Sequence, residues 1–148
     1  MRNSTLVMPE NDIVTTMVTL AGCAKFDRII VSGSTASQRM LELHRRGYSR
    51  VATTSTCVLP QGQYDVGLIE WRLHSIRALE ATLNWFVHFL GSAGVLVIWI
   101  DTEEHSAKRI LTSMVERLGL KVEASLRHGA GLAISARRLD SKILSVAA

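Results

Sequence analysis

Apolar residues recur along the chain at two spacings, one typical of amphipathic helices and one typical of buried strands. Helical spacing, with apolar side chains three or four positions apart, marks four segments. The first helix is predicted after Asn11 or Asp12, either of which can cap it, and ends near Gly22. The other three run from Ser34 or Thr35 to Gly47, from about His74 to the glycine-rich stretch 91–94, and from Asp101 or Thr102 to about Leu118.

Short runs of branched apolar residues lie between these helices and predict strands. Continuous runs of this kind are typical of strands buried on both faces of a sheet. The predicted strands are residues 28–31, 50–54, 64–71 and 95–100. Residues 122–126 and 132–136 instead alternate apolar with polar side chains across the turn His128-Gly129-Ala130-Gly131, which predicts an antiparallel hairpin.

This order of elements indicates the fold class. Strands separated by helices imply parallel crossovers, and parallel strands need cover on both faces. We therefore expect a three-layer α/β/α sandwich with a Rossmann-like, mostly parallel sheet and a C-terminal antiparallel hairpin. One domain over residues 1–148 is predicted, with a helical extension (1–25), a core (26–138) and a tail (139–148).

Buried helix faces follow from the same spacing. The second helix should bury Ala36, Met40 and Leu43. The last helix should have Glu103 and Glu104 in its first turn, where the helix dipole favours negative charge. Its buried face is predicted to consist of Ile110, Met114, Val115 and Leu118.

Composition and charge narrow the class of partner. With 47% hydrophobic and 20% charged residues, the chain is globular rather than disordered. Its net charge of +4 permits an anionic partner. The basic residues are scattered, which favours a solvated surface over direct nucleic-acid binding without excluding the latter. Arg39, Arg45, Arg46 and Arg50 could form one patch, although two of them lie at a helix C-terminus, where cations are favoured.

The two cysteines and the apolar runs bear on compartment and cofactors. Cys23 and Cys57 are too far apart for a CxxC site, and the five histidines have no metal-ligand spacing, so reduced thiols in a cytoplasmic protein without a metal are expected. Residues 20–23, Leu-Ala-Gly-Cys, resemble a lipoprotein processing site, but Glu10 and Asp12 interrupt the region where an export signal is basic and apolar. No apolar run is long enough to span a membrane.

A family resemblance emerges from residues 26–138. The stretch Tyr64-Asp65-Val66-Gly67-Leu68-Ile69 looks like the fourth strand of the Rossmann-like, class I S-adenosylmethionine-dependent methyltransferases, and residues 90–98 look like the turn and fifth strand of that family. The closing hairpin, ending Leu132-Ala133-Ile134-Ser135-Ala136-Arg137-Arg138, is also similar. Because the span from Thr54 to Tyr64 is too short for the usual strand and helix, the resemblance implies a shortened sheet of about six strands.

On this resemblance, the loop after the first strand is a degenerate cofactor loop. A glycine there lets the backbone approach a nucleotide closely. Gly33 is retained, but the family's other loop glycines fall on Thr35 and Ser37, and the usual acids fall near Val31 and Ser55. The residues implied to bind S-adenosylmethionine are therefore Gly33, Ser34, Thr35, Ser37, Ser55 and Trp71.

The segment after the third strand offers candidate catalytic residues. Ligands in open α/β sheets lie beyond the carboxyl ends of the strands, so Glu70, Trp71 and His74 should face the same crevice as Gly33. Glu70 or His74 could orient or deprotonate a methyl acceptor, and Trp71 could stack on an adenine. Structural roles are the alternatives: Glu70 capping a helix, Trp71 in the core and His74 on the surface.

Two functions remain open. The first is a methyltransferase that transfers a methyl group from S-adenosylmethionine to a small-molecule or macromolecular acceptor. The second is a catalytically inactive, methyltransferase-like binding or assembly module. Exposure of Trp85 or Phe89 on the third helix would favour a homodimer.

Overall fold

Helices and strands largely alternate along the chain, but at two places two strands follow each other with no helix described between them. The computed structural model describes residues 10–56, 62–72, 75–102, 104–128 and 131–139. The helices are α1 (Glu10–Ala21), α2 (Ala36–Arg45), α3 (Ile76–Phe86) and α4 (Ala107–Arg117), with a 3-10 turn at Val87–Phe89. The strands are β1 (Ile29–Gly33), β2 (Val51–Thr53), β3 (Tyr64–Trp71), β4 (Leu90–Asp101), β5 (Leu120–His128) and β6 (Gly131–Arg138).

The strands form one six-stranded sheet in the order β2-β1-β3-β4-β6-β5. The strands β2, β1, β3 and β4 are parallel, whereas β6 is antiparallel to both β4 and β5. In the pairing of β1 with β3, Gly33 lies opposite Glu70. The predicted Rossmann-like class, its six strands and the C-terminal antiparallel hairpin are therefore confirmed.

Helices cover both faces of the sheet. One buried cluster joins α1 and α2 to the sheet, through side chains that include Ile13, Met17 and Leu43. The other joins α3 and α4 to the opposite face, through side chains that include Leu83 and Leu111. The three-layer prediction is confirmed, and α1 contributes buried side chains to the first of these clusters. Among the described residues, no helix is long and apolar enough to cross a membrane.

Three predicted boundaries were wrong. The helix α1 already includes Asn11 and Asp12, so neither residue caps it. The strand β4 begins at Leu90 rather than Val95, because Leu90 already pairs with Tyr64 of β3; residues 91–94 form the register shift before Val95 pairs with Val66. The helix α4 begins at Ala107, so Asp101 ends a strand and no acidic residue lies in the first turn of the helix.

Two predicted faces also need correction. On α4, Met114 and Val115 are buried as predicted, but Ile110 is exposed and the rest of the buried side consists of Ala107 and Leu111. On α2, Leu43 is buried as predicted, but the other buried side chain is the charged Arg39. Arg39 therefore does not belong to the predicted surface patch with Arg45, Arg46 and Arg50.

Gly33 allows β1 and β3 to come together closely where both strands end. Its φ of +123° lies outside the range that L side chains readily adopt. A Cβ atom at this position would lie 2.5 Å from the backbone oxygen of Glu70. Contact with the neighbouring strand therefore requires a glycine here, whatever ligand the loop holds.

A Gly33→Ala substitution should test this constraint against a matched glycine. Gly22 also has a positive φ, of +63°, but a Cβ atom added there would have no neighbour within 4 Å. We expect Gly22→Ala to lower the free energy of unfolding by about 1 kcal/mol, the cost of a left-handed alanine. Gly33→Ala should cost at least about 2 kcal/mol, since a backbone clash adds to the strain. Urea unfolding checks this, and equal losses would contradict it.

Candidate functional site

The candidate site lies at the edge of the sheet where β1, β2, β3 and β4 all end. These strands are parallel, so their carboxyl ends and the loops that follow meet there. The loop after β1 leads into α2, whose N-cap residue is Thr35. Open α/β sheets bind ligands in this position. We call residues 33–37, 53–56 and 70–72, together with Asp101, the carboxyl edge.

A buried ion pair joins α2 to the end of β3 at the carboxyl edge. Glu70 and Arg39 are 3% and 5% exposed. The Nε of Arg39 donates to Oε1 of Glu70 at 2.5 Å, and its Nη2 donates to Oε2 at 3.0 Å. The Thr35 hydroxyl, which makes no capping bond to its own helix, donates to Oε1 at 2.8 Å. Both oxygens of Glu70 are therefore engaged.

These partners keep the Glu70 carboxylate charged. Burial alone would raise the pKa of Glu70, because it disfavours the ionised form. Hydrogen bonds from Arg39 and Thr35, with the positive charges of Arg39 and Arg72, outweigh burial and hold the pKa below its ordinary value. A carboxylate in this setting is a weak proton acceptor.

Arg72 extends this ion pair toward β4. Its Nε lies 2.8 Å from Oε2 of Glu70 and 3.3 Å from Oδ2 of Asp101. The Nε makes no hydrogen bond of acceptable geometry within the described part of the chain, so both contacts are purely ionic. Asp101 also accepts from the indole nitrogen of Trp99 at 3.2 Å. Charges of alternating sign thus run from α2 to the end of β4.

Hydroxyl groups line the opposite end of the carboxyl edge. Ser34 and Ser37, in and just after the β1–α2 loop, are exposed. After β2, the buried Thr53 hydroxyl contacts those of Ser55 at 3.1 Å and Thr56 at 2.8 Å, and both of these residues are exposed. The Thr54 amide donates to the Val31 carbonyl, which holds this turn against β1. At Ser55, a hydroxyl thus stands where the resemblance implies one of the two acids.

Two further predicted site residues follow β3. Trp71 is half-buried at the end of the strand, and its indole nitrogen donates to the Ser75 carbonyl at 2.9 Å. His74 lies outside the described residues, as do Cys57 and the predicted tail beyond Leu139. Of the predicted residues, Gly33, Thr35 and Glu70 are in direct contact.

The sequence interpretation missed Arg39, Arg72 and Asp101 as members of the site. A signal for Arg39 was present, because it lies on the same helical face as Ala36 and Leu43. A charged residue on a buried face needs a partner of opposite charge. Glu70, at the end of an apolar strand, was the matching signal. Nothing in the sequence indicated that Asp101 lies at the carboxyl edge, since it was expected to begin a helix.

The donor set fits an adenosyl ligand held mainly by hydroxyls and backbone groups. Ser34, Ser37 and Ser55 can each donate and accept hydrogen bonds. The described loops at residues 33–37 and 53–56 contain no carboxylate for the ribose hydroxyls, and Glu70 is already bound. Among the described residues, no three His, Cys, Asp or Glu side chains form a group that could hold a metal ion.

No protein-family profile matches the chain, and no curated protein sequence matches it. Several solved structures, in contrast, match the chain. The 1,6-didemethyltoxoflavin-N1-methyltransferase of Burkholderia thailandensis, solved with 1,6-didemethyltoxoflavin and S-adenosylhomocysteine, is 14% identical with a TM-score of 0.61. The alignment covers 87% of this chain and 77% of that one.

Two other solved structures are similar to a comparable degree. A methyltransferase from Aquifex aeolicus that depends on S-adenosylmethionine is 11% identical, with a TM-score of 0.59 and coverage of 87% of this chain and 89% of that one. The [4+2]-cyclase SpnF is 9% identical, with a TM-score of 0.63 and coverage of 87% and 81%. The chain therefore has the fold of the class I S-adenosylmethionine-dependent methyltransferases.

Stability at low pH should report the Glu70 ion pair. Because its folded pKa is lowered, Glu70 contributes stability that is fully present above its unfolded pKa, about 4.3, and is lost as the pH falls through the folded value. The free energy of unfolding of Glu70→Gln should therefore be clearly lower than that of the wild type at neutral pH, and this difference should become smaller in acid. Urea unfolding at several pH values measures this.

Glu42 offers a matched control for that experiment. Its carboxylate is half-buried and pairs with Arg45 and Arg46 along one helix. Such surface pairs contribute little, so Glu42→Gln should cost less than about 1 kcal/mol at neutral pH. If the difference in free energy of unfolding between the wild type and Glu70→Gln stays constant with pH, Glu70 stabilises the fold by packing and not by its charge.

Proposed function

We propose that the chain is an S-adenosylmethionine-dependent methyltransferase that holds its cofactor weakly at the carboxyl edge. The observation that carries the proposal is the position of the exposed hydroxyls Ser34, Ser37 and Ser55, at the strand ends of a methyltransferase fold. Fold alone does not specify activity, since the same fold includes the cyclase. The proposal therefore rests on the site as well as the fold.

In this proposal, the loop residues bind the cofactor, and the residues at the strand ends orient the bound ligands. Ser34, Thr35 and Ser37 contact the cofactor beside Gly33, Ser55 bonds the ribose hydroxyls, and Trp71 stacks on the adenine or on the acceptor. When bound, S-adenosylmethionine supplies an electrophilic methyl group. Transfer of that group depends mainly on alignment of the two reactants, so the chain needs no strong base.

Glu70 acts as an orienting residue in this mechanism. Its carboxylate is bound by Arg39 and Thr35 and has a lowered pKa, so proton abstraction by Glu70 is disfavoured. Its backbone oxygen sets the approach of the cofactor loop at Gly33. His74 remains the candidate for a proton-accepting role. The crystallised acceptor of the Burkholderia enzyme is a small molecule, which supports a small-molecule acceptor here.

A gain-of-function variant tests cofactor binding. Ser55→Asp places a carboxylate on an exposed turn where the described loops have none. A carboxylate accepting from the ribose hydroxyls adds about 1.5 to 3 kcal/mol, so we expect S-adenosylhomocysteine to bind about 10- to 100-fold more tightly than to the wild type. Isothermal calorimetry measures both affinities.

Ser55→Asn is the control, because it has nearly the same shape without the charge. It should bind S-adenosylhomocysteine within about threefold of the wild type, a difference of well under 1.4 kcal/mol. No heat from the wild type and from Ser55→Asp at millimolar S-adenosylhomocysteine would refute the proposal. No gain in either variant would place the ribose away from Ser55, and an equal gain in both would show that the contact does not depend on negative charge.

The second candidate function is a catalytically inactive assembly module. Two observations favour it: the Glu70 carboxylate is fully engaged, and Trp85 on α3 is 46% exposed. Trp85 stands edge-on to Phe86 and Phe89, with ring centroids 6.1 Å away in each case. An exposed tryptophan supported by other aromatic rings is typical of a contact surface between proteins. We propose a homodimer through this surface.

Sedimentation measurements test the homodimer. Trp85→Lys should shift the chain from dimer to monomer, because a lysine at the centre of an apolar contact is costly to bury. Leu41→Lys is the matched control, since Leu41 is similarly exposed on α2, at the opposite face of the sheet. A wild-type chain that sediments as a monomer at all concentrations would contradict the assembly proposal.

A further inference from the structure

Arg72 lies at the carboxyl edge, and among the described residues its side chain makes ionic contacts but no hydrogen bonds. The residue follows β3 directly, and its side chain is 27% exposed. Its Nε is fixed between the carboxylates of Glu70 and Asp101. Within the part of the chain that the structure describes, neither the Nε nor the two terminal nitrogens make a hydrogen bond. An arginine carries five N–H donors, so this one can still bind an acceptor.

The residues around Arg72 hold its guanidinium in place and still allow its terminal nitrogens to bind a ligand. Glu70 is already bound by Arg39, and Asp101 accepts from Trp99. The formal charges of Arg39, Glu70, Arg72 and Asp101 cancel, so an incoming anion meets no net negative charge from this group. A guanidinium fixed before the ligand arrives loses little entropy on binding, which favours recognition by hydrogen bonds.

The location of Arg72 suits one particular part of the proposed cofactor. Ser55, proposed to bind the ribose, follows β2, whereas Arg72 follows β3, with β1 between them. Two strand spacings separate these positions, roughly 10 Å. The chain of atoms from the ribose through the sulfur to the α-carboxylate of the amino-acid tail can bridge a gap of this order, and it would pass over Gly33.

We propose that Arg72 binds the α-carboxylate of S-adenosylmethionine and so contributes an affinity that the missing loop acids do not supply. This role rests on the proposed function of the carboxyl edge. Arginine and carboxylate match in geometry, and their hydrogen bonds are the stronger, charge-assisted kind. The chain thereby recognises the anionic end of the cofactor with a cation, in place of recognising the ribose with an acid.

Two ligands separate this role from cofactor binding in general. S-adenosylhomocysteine carries the amino-acid tail, whereas 5′-methylthioadenosine has the same nucleoside and thioether without it. Wild-type protein should bind S-adenosylhomocysteine more tightly than 5′-methylthioadenosine by calorimetry. Arg72→Gln should weaken S-adenosylhomocysteine about 10- to 100-fold and leave 5′-methylthioadenosine unchanged. Arg72→Lys should give an intermediate loss, because lysine keeps the charge without the planar fork.

Arg127→Gln controls for loss of a positive charge. Arg127 is exposed near the end of β4, where it donates to the carbonyls of Thr102 and Glu104, and its replacement should leave both affinities unchanged. Equal losses in Arg72→Gln and Arg127→Gln would overturn the proposal in favour of general electrostatic attraction. A parallel loss of both ligands in Arg72→Gln would overturn it in favour of a structural role.

The same data distinguish failure of the inference from failure of the proposed function. If neither ligand binds the wild type, the cofactor proposal itself is wrong. If both bind equally well, and Arg72→Gln changes neither affinity, the carboxyl edge binds the nucleoside but Arg72 does not bind the tail. Thermal unfolding of each variant, compared with the wild type, verifies that the chain remains folded.

Discussion

The buried ion pair between Arg39 and Glu70 is the interaction on which the carboxyl edge depends. It joins α2 to the end of β3 and also draws in Thr35 and Arg72. Removing one partner of such a pair typically costs about 3 to 5 kcal/mol, because the other charge remains buried. Replacing both residues by apolar ones often leaves the stability unchanged, so the presence of a buried ion pair is weak evidence that it stabilises the fold. In this structure the pair fixes the position of the Glu70 side chain against α2.

That geometry combines with Gly33 to fix the cofactor loop. The glycine lets β1 approach the Glu70 backbone, while the ion pair holds the Glu70 side chain and the first turn of α2. A loop with three glycines is flexible until a ligand binds. A loop with one glycine and a buried ion pair is fixed beforehand, which lowers the entropy lost on binding. In the proposed function, preorganisation of this kind would offset part of the affinity that acids at the positions of Val31 and Ser55 would contribute.

Much of the fold could be predicted from the sequence, because hydrophobic spacing records burial directly. The strand β3 was predicted at its observed boundaries, and the hairpin of β5 and β6 followed from its alternation. The errors lie where pairing overrides local preference. The glycines at 91 and 94 predicted a turn before the strand, but Leu90 also pairs with β3, so residues 91–94 lie within β4 at a register shift.

The site was harder to predict for a related reason. Gly33 and Glu70 could be recognised from the local sequence. Gly33 follows one apolar run, and Glu70 is an acidic residue at the end of a second apolar run. Arg39 and Glu70 lie 31 positions apart, and only the fold brings them into contact. Arg72 could not be assigned, because its role depends on which atoms its neighbours leave unbound. Function here is a property of the assembled strand ends rather than of one motif.

Amide NMR spectra recorded during titration with S-adenosylhomocysteine test the central claim most directly. We predict chemical-shift changes concentrated at Gly33, Ser34, Ser55 and Arg72, since these backbone positions surround the proposed ligand. The shallow groove along α4 that His105, Lys108 and Arg109 help to line should be unaffected. Shift changes confined to that groove, or none at millimolar ligand, would contradict a cofactor site at the carboxyl edge.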